Sequence, residues 1–159
     1  GLHDQDLIDK KILALQVELG ELANEWRGFK YWSEDQKPRT VKYIENRKHR
    51  QNPLLEEYVD CLHFVLSIGL EIETEQDIFP EPIKYDNTVT QFNELFGQIS
   101  YFASVLNRDN DWDEVEFEYE RVWSLFFGLG GELGFTWQQI EQGYLDKNKI
   151  NHERQERGY

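Results

Sequence analysis

The sequence predicts an all-α protein, a helical bundle of about five main helices, and three observations lead there. Apolar residues recur at alternating intervals of three and four in successive stretches, the pattern of helices packed along one face. Residues suited to helix ends bound those stretches: Asn52-Pro53, Asp111, and the pair Thr136 and Gln139. With 159 residues, 39% hydrophobic and 14% aromatic, the chain is long enough for one core, so residues 1–159 are expected to form one domain.

Composition narrows the function. A formal charge of −14 argues against general binding to nucleic acid or to an anionic membrane, since both need surplus Lys and Arg. A small phosphorylated ligand could still bind through a metal. Cys61 is the one cysteine, expected as a small buried residue in a reducing compartment. No apolar run approaches a membrane span and no secretory pattern opens the chain, so a cytoplasmic protein is expected. The chain starts at Gly1 and has no Met, as a processed piece without its natural start would.

The first helix is expected from about Asp6, capped by Asp4 or Asp6, to about Trp26, with Gly28 ending it. Ile8, Ile12, Leu15, Leu19, Leu22 and Trp26 form its apolar stripe. Glu18, Glu21 and Glu25 fall within roughly a 60° arc that borders this stripe. Like charges at that spacing cost a few tenths of a kcal/mol unless something positive binds between them. The face is either a solvated acidic surface or half of a cation site. The aromatic cluster Phe29 to Trp32 follows, either core or a wall on which a planar base could stack.

Between Arg27 and Arg50 lie eight basic residues and three acidic ones, so this connector carries +5 and the remainder −19. It can serve an anion near the acids or simply neutralise its neighbours. A short helix around Val41 to Lys48 is expected within it. Asn52-Pro53 then opens a second helix, with Leu55, Val59, Leu62, Val65, Leu66 and Leu70 as its apolar flank. Glu56, Glu57 and Asp60 fall together away from that flank, and Glu57 and Asp60 are one turn apart.

Residues 74–86, with Pro80 and Pro82, read as a linker within the domain. A third helix starts at Asn87 or Thr88 and carries Phe92, Leu95, Phe96, Ile99, Phe102 and Leu106. Asp109, Asp111, Asp113 and Glu120 match calcium-loop positions, but Glu114 stands where Gly is needed for the turn. Asp111 is therefore expected to cap a fourth helix with a core face of Val115, Tyr119, Val122, Trp123 and Phe126, closed by Gly130, Gly131 and Gly134. Thr136 and Gln139 form a capping box for a fifth. Near its end Lys147, Asn151 and Arg154 share one face that holds only donors, which suits phosphate oxygens.

Two helices that each offer acids one turn apart can hold one to three Mg²⁺ ions if they pack side by side, because hard divalent cations take several oxygen ligands. Such ions would clamp a phosphate and lower the pKa of a bound water so that it attacks phosphorus. The donor face would neutralise charge on the departing phosphates. Together these make a phosphoanhydride hydrolase built on helices.

Glu18-x-x-Glu21 followed by Glu57-x-x-Asp60 resembles the paired acidic motif of the MazG-like all-α nucleoside triphosphate pyrophosphohydrolases. FKYW after the first motif, LLEEYVDCLHF around the second and the C-terminal KNKINHERQERGY resemble the dimeric dUTPase branch over Leu13 to Tyr159. The resemblance implies hydrolysis of dUTP, and also dUDP, to dUMP with Mg²⁺ in a homodimer. It implies Glu18, Glu21, Glu57 and Asp60 as metal ligands, and Lys147, Asn151, Arg154 and Tyr159 on the phosphates. Trp32 would help wall the base pocket. Glu18 is favoured over Glu56 as general base, through a metal-bound water. A helix that supplies Gln and Asn side chains to the base precedes the first acidic motif in that branch, and the given sequence starts too late to show it.

The rivals are a sister enzyme acting on another nucleotide such as dCTP, and a non-enzymatic acidic helical protein that binds a basic partner. A di-iron carboxylate protein would need Glu-x-x-His on two helices, and the chain offers only Asp60-x-x-His63. His63 is instead expected to hydrogen-bond within the core or to an acidic ligand.

Overall fold

Helical periodicity in the sequence becomes five helices: α1 (Leu2–Trp26), α2 (Pro53–Glu71), α3 (Thr88–Leu106), α4 (Trp112–Glu132) and α5 (Trp137–Glu156). The computed structural model describes residues 2–44, 47–72, 74, 80–108 and 111–158, and within these the side chains of 7–41 and from 52 onward. α1 packs on α2, α3 on α4, and α5 on α2.

Four helix starts are set by side chains that satisfy orphan backbone donors. The Asn52, Asn87 and Asp111 side chains accept from the backbone N–H groups of Leu55, Thr90 and Asp113 at 3.1, 2.8 and 3.0 Å. The Thr136 hydroxyl accepts from Gln139 N at 3.2 Å while the Gln139 side chain accepts from Thr136 N at 2.8 Å. With Asp111 engaged as a cap and residues 112–132 helical, the calcium-loop pattern is excluded, and Asp109 lies outside the described residues.

The start of α1 differs from expectation. The helix runs through both Asp4 and Asp6 from Leu2, so neither stands at its cap. Its end also differs, because Arg27 rather than Gly28 adopts the left-handed conformation, at φ 68°. Gly28 is needed for room, since a Cβ there would run into the Trp26 indole. Residues 42–44 and 47–51 do not form the expected short helix. β1 (Lys42–Ile44) and β2 (Arg47–Gln51) pair antiparallel, with Lys42 opposite Gln51 and Tyr43 opposite Arg50. Val41, Tyr43 and Ile44 are residues that fit a pleated strand better than a helix.

The core takes the expected stripes of α1, α3 and α4 almost unchanged. Ile8, Ile12, Leu15, Leu19 and Leu22 are buried, as are Phe92, Leu95, Ile99 and Phe102, and Val115, Tyr119, Val122 and Phe126. On α2 the expected flank is only half right. Its deepest line is Leu54, Tyr58, Cys61, Val65 and Ile68, whereas Leu66 and Leu70 are exposed. This helix is apolar on two sides and the period alone does not choose between them. Two buried tyrosines tie α4 to α2: Tyr58 donates to Phe126 O at 2.9 Å and Tyr119 donates to Val65 O at 2.8 Å. Gly130 sits inside α4 against the Tyr58 hydroxyl and Gly131 is also helical, so the end belongs to Gly134 alone, at φ 85°.

The linker before α3 is strapped to α4. Ile83 N donates to Ser124 O at 2.9 Å, and the buried Gln91 side chain accepts from Tyr85 N and donates to Ile83 O and Leu125 O.

Candidate active site

α1 and α2 run in opposite directions, which the 2.6 Å ion pair of Lys11 with Glu71 fixes at one end of their seam. Halfway along, that register brings the acids of one helix to those of the other. Glu18, Glu57 and Asp60 each offer a carboxylate oxygen, all within 4.8 Å of one another, and all three residues are half-buried. Glu21 is exposed and stands outside this trio, although its charge still reaches Glu57.

The electrostatics mark the cluster as incomplete. Glu57 has its carboxyl pushed up to about 8, first by burial, then by a contact with the Glu18 carboxyl, then by the charges of Asp60, Glu18 and Glu21. Its Oε2 is buried with no hydrogen-bond partner. A buried carboxylate oxygen without a donor is costly. The neighbouring Cys61 thiol is buried and pushed up, by burial first and then by the same acids, so it is inert rather than reactive. Hard oxygen donors, close convergence and an orphaned buried oxygen together fit a divalent cation.

α5 contributes one cation directly. Lys147 Nζ lies 3.3 Å from Asp60 Oδ1. Asn151 and Arg154 follow on the same face one and two turns on, Asn151 half-buried and Arg154 exposed. Tyr159 lies outside the described residues. Trp32 is 65% exposed, in edge contact with Phe29 and Tyr31, and is not part of the acid cluster. Its loop is held by Arg27, which donates to Asp35 O at 3.1 Å and to Ser33 Oγ at 3.5 Å. That basic residue of the connector is thus engaged in the turn. Side chains of 42–51 lie outside the described residues.

His63 departs from expectation. Its Nε2 is buried without a hydrogen-bond partner, and its ring stacks on Tyr144 with centroids 4.5 Å apart and planes at 27°. Burial lowers its pKa, Asp60 opposes that, and Lys147 adds to it. Tyr144 was not singled out from the sequence. The available signal was paired spacing, because His63 and Tyr144 each lie three residues from a member of the Asp60 and Lys147 ion pair. An apolar groove of about 450 Å³ runs between α2, α4 and α5, lined by Leu62, Leu66, Leu70, Trp123, Phe127 and Tyr144 among others. Tyr144 connects it to the charged site.

No helix among the described residues is long and apolar enough to cross a membrane. Among known families, the model of one described as dUTPase matches residues 1–159. No curated protein and no solved structure matches the chain.

Proposed function

Because the chain belongs to this dUTPase family and is a dUTP diphosphatase, a hydrolase acting on acid anhydrides, we propose that the seam between α1 and α2 is where the reaction occurs. Glu18, Glu57 and Asp60 hold Mg²⁺, one to three ions, and Glu21 joins them by turning inward from its exposed position. The convergence of the first three within 4.8 Å, with the Glu57 oxygen left unpartnered, is the observation that carries this assignment. Bound there, the cation supplies charge that polarises a phosphate and makes water a nucleophile at neutral pH.

The protein's own groups do the rest. Glu18 takes the proton from the attacking water as general base. The new P–O bond forms as the bridging oxygen leaves with pyrophosphate from dUTP, or with phosphate from dUDP, leaving dUMP. Lys147, Asn151 and Arg154 face the phosphates and neutralise charge on the leaving group, with Tyr159 beyond them. The 3.3 Å contact of Lys147 with Asp60 supports this by joining the donor face to the acids. Trp32 walls the base, its exposed ring available for stacking. The enzyme works as a cytoplasmic homodimer with one catalytic domain over 1–159, without stable binding to nucleic acid or membrane.

The test is magnesium-dependent release of pyrophosphate across a panel of deoxynucleotides. Turnover of dUTP that stops with EDTA is expected. Preference for dCTP would move the enzyme to a sister specificity, and turnover untouched by EDTA would remove the cation from the seam.

A further inference from the structure

α5 is weakly attached for a helix that carries the donors. Ile140 is its one buried residue among those described. Gly143 lets the next turn lie close to α2, since a Cβ there would meet Val59 and Leu55 at 3.1 and 3.5 Å. Beyond it Leu145, Asp146, Lys149, Ile150 and residues 152–156 are exposed. Two described contacts hold this outer part to α2: the Tyr144 ring on His63, and Lys147 on Asp60. Both pairs are spaced i, i+3 on their own helices, so they form two adjacent rungs between antiparallel helices.

The rungs respond differently to a ligand. Asp60 also belongs to the acid cluster, so a cation bound there competes with Lys147 for the same carboxylate, and the ionic rung weakens. The ring stack has no charge to lose. Tyr144 also lines the groove between α2, α4 and α5.

We propose that Tyr144, stacked on His63, is a positioning residue that keeps the outer half of α5 in register with α2, so that Lys147, Asn151 and Arg154 stay over the acid cluster once Asp60 is engaged elsewhere. The proposal rests on the site described above and adds to it a residue that touches neither the cation nor the phosphates. Small displacements of positioning groups cost rate steeply, on the order of 10²-fold for about 1 Å.

The experiment compares Tyr144→Ala, Tyr144→Phe, His63→Ala and the double variant His63→Ala/Tyr144→Ala, in the full chain. For dUTP with Mg²⁺, Tyr144→Ala is expected to lower kcat by ~10- to 100-fold with a smaller change in KM. Tyr144→Phe, which keeps the ring, restores it. The double variant should fall no lower than the worse single variant, because both remove one contact. Mn²⁺ binding without nucleotide, read by electron paramagnetic resonance, should be no weaker in Tyr144→Ala than in the wild type. Hydrogen exchange of the amides of 147–156 should be faster in Tyr144→Ala and unchanged in Tyr144→Phe. Wild-type kcat in Tyr144→Ala, additive losses in the double variant, loss of Mn²⁺ binding, or unaltered exchange would each overturn the proposal. Should the wild type itself not turn over dUTP, the site assignment fails instead, and the exchange comparison still decides whether the stack holds α5.

Discussion

Two polar side chains in different parts of the molecule, one buried and one half-buried, show how its parts differ. Gln91, between α3 and α4, is fully buried and uses its amide completely, accepting from Tyr85 N and donating to Ile83 O and Leu125 O. Glu57, between α1 and α2, has a buried oxygen with no donor and three acids around it. The first arrangement is closed and contributes only stability. The second is held together against its own repulsion by the apolar packing of Leu15, Leu19, Leu22, Tyr58 and Cys61 alongside it, and it stays costly without a positive partner. Glu25 on α1 and Glu132 at the C-terminal end of α4 also have buried, unpartnered carboxylate oxygens, and among the described residues neither belongs to the converging trio.

Substitutions on each side should separate these roles. Glu57→Gln is expected to lower dUTP hydrolysis by ~10³-fold or more, since a ligand to a charge worth several kcal/mol in the transition state is lost. In EDTA at neutral pH the same variant should melt higher than the wild type, because Gln is neutral without taking up the proton that Glu57 must bind on folding. A variant less stable than the wild type in EDTA would contradict the claim that the cluster strains the fold. Gln91→Ala should do the reverse, costing about 3 kcal/mol of stability by leaving Tyr85 N and Ile83 O without their partner and a cavity behind, with kcat kept at 25 °C. Chemical denaturation and initial rates check both halves, and a folded Gln91→Ala protein without activity would erase the contrast.

Arg154→Ala tests the donor face from outside the seam. Its kcat should fall by ~10²-fold with stability unchanged, since the side chain is exposed. An unaltered kcat would take Arg154 out of the chemistry.

The last effect is on pH. The Glu57 carboxyl titrates at about 8 in the fold against 4.5 when unfolded, so the folded chain binds more protons between those values. Stability of the metal-free protein is therefore highest, as far as this group matters, below about pH 4.5 and is lost as pH rises towards 8. Melting temperatures measured in EDTA from pH 5 to 8.5 should show this fall, and Glu57→Gln should flatten it. An equal slope in both proteins would assign the pH dependence to other groups.

Helix starts were legible because a cap is a local event: Asn52, Asn87, Asp111 and Thr136 act on backbone groups two or three residues away. The acid pairs were legible for the same reason, since i, i+3 spacing alone puts them on one face. What spacing cannot give is depth. Glu18 is half-buried in the cluster while Glu21, one turn on, is exposed, because the seam with α2 passes closer to one than the other. The second apolar side of α2, with Leu54, Tyr58 and Ile68 inward and Leu66 and Leu70 outward, depends on where the other helices land, as the stack of Tyr58 on Phe126 of α4 shows. The stack of His63 on Tyr144 joins positions far apart in the chain, and its sequence trace is only the matching offset from Asp60 and Lys147. The strands at 42–44 and 47–51 were not legible, because their charged residues hide the strand-forming Tyr43 and Ile44.

The most direct test of the cation seam is a Mn²⁺ titration of the metal-free protein, followed by electron paramagnetic resonance at pH 7.5, with wild type and Asp60→Asn side by side. The wild type is expected to take up the ion in a saturable way that Mg²⁺ displaces, and Asp60→Asn to bind it at least tenfold more weakly. Equal binding by the two proteins would contradict the assignment of Glu18, Glu57 and Asp60 as its ligands.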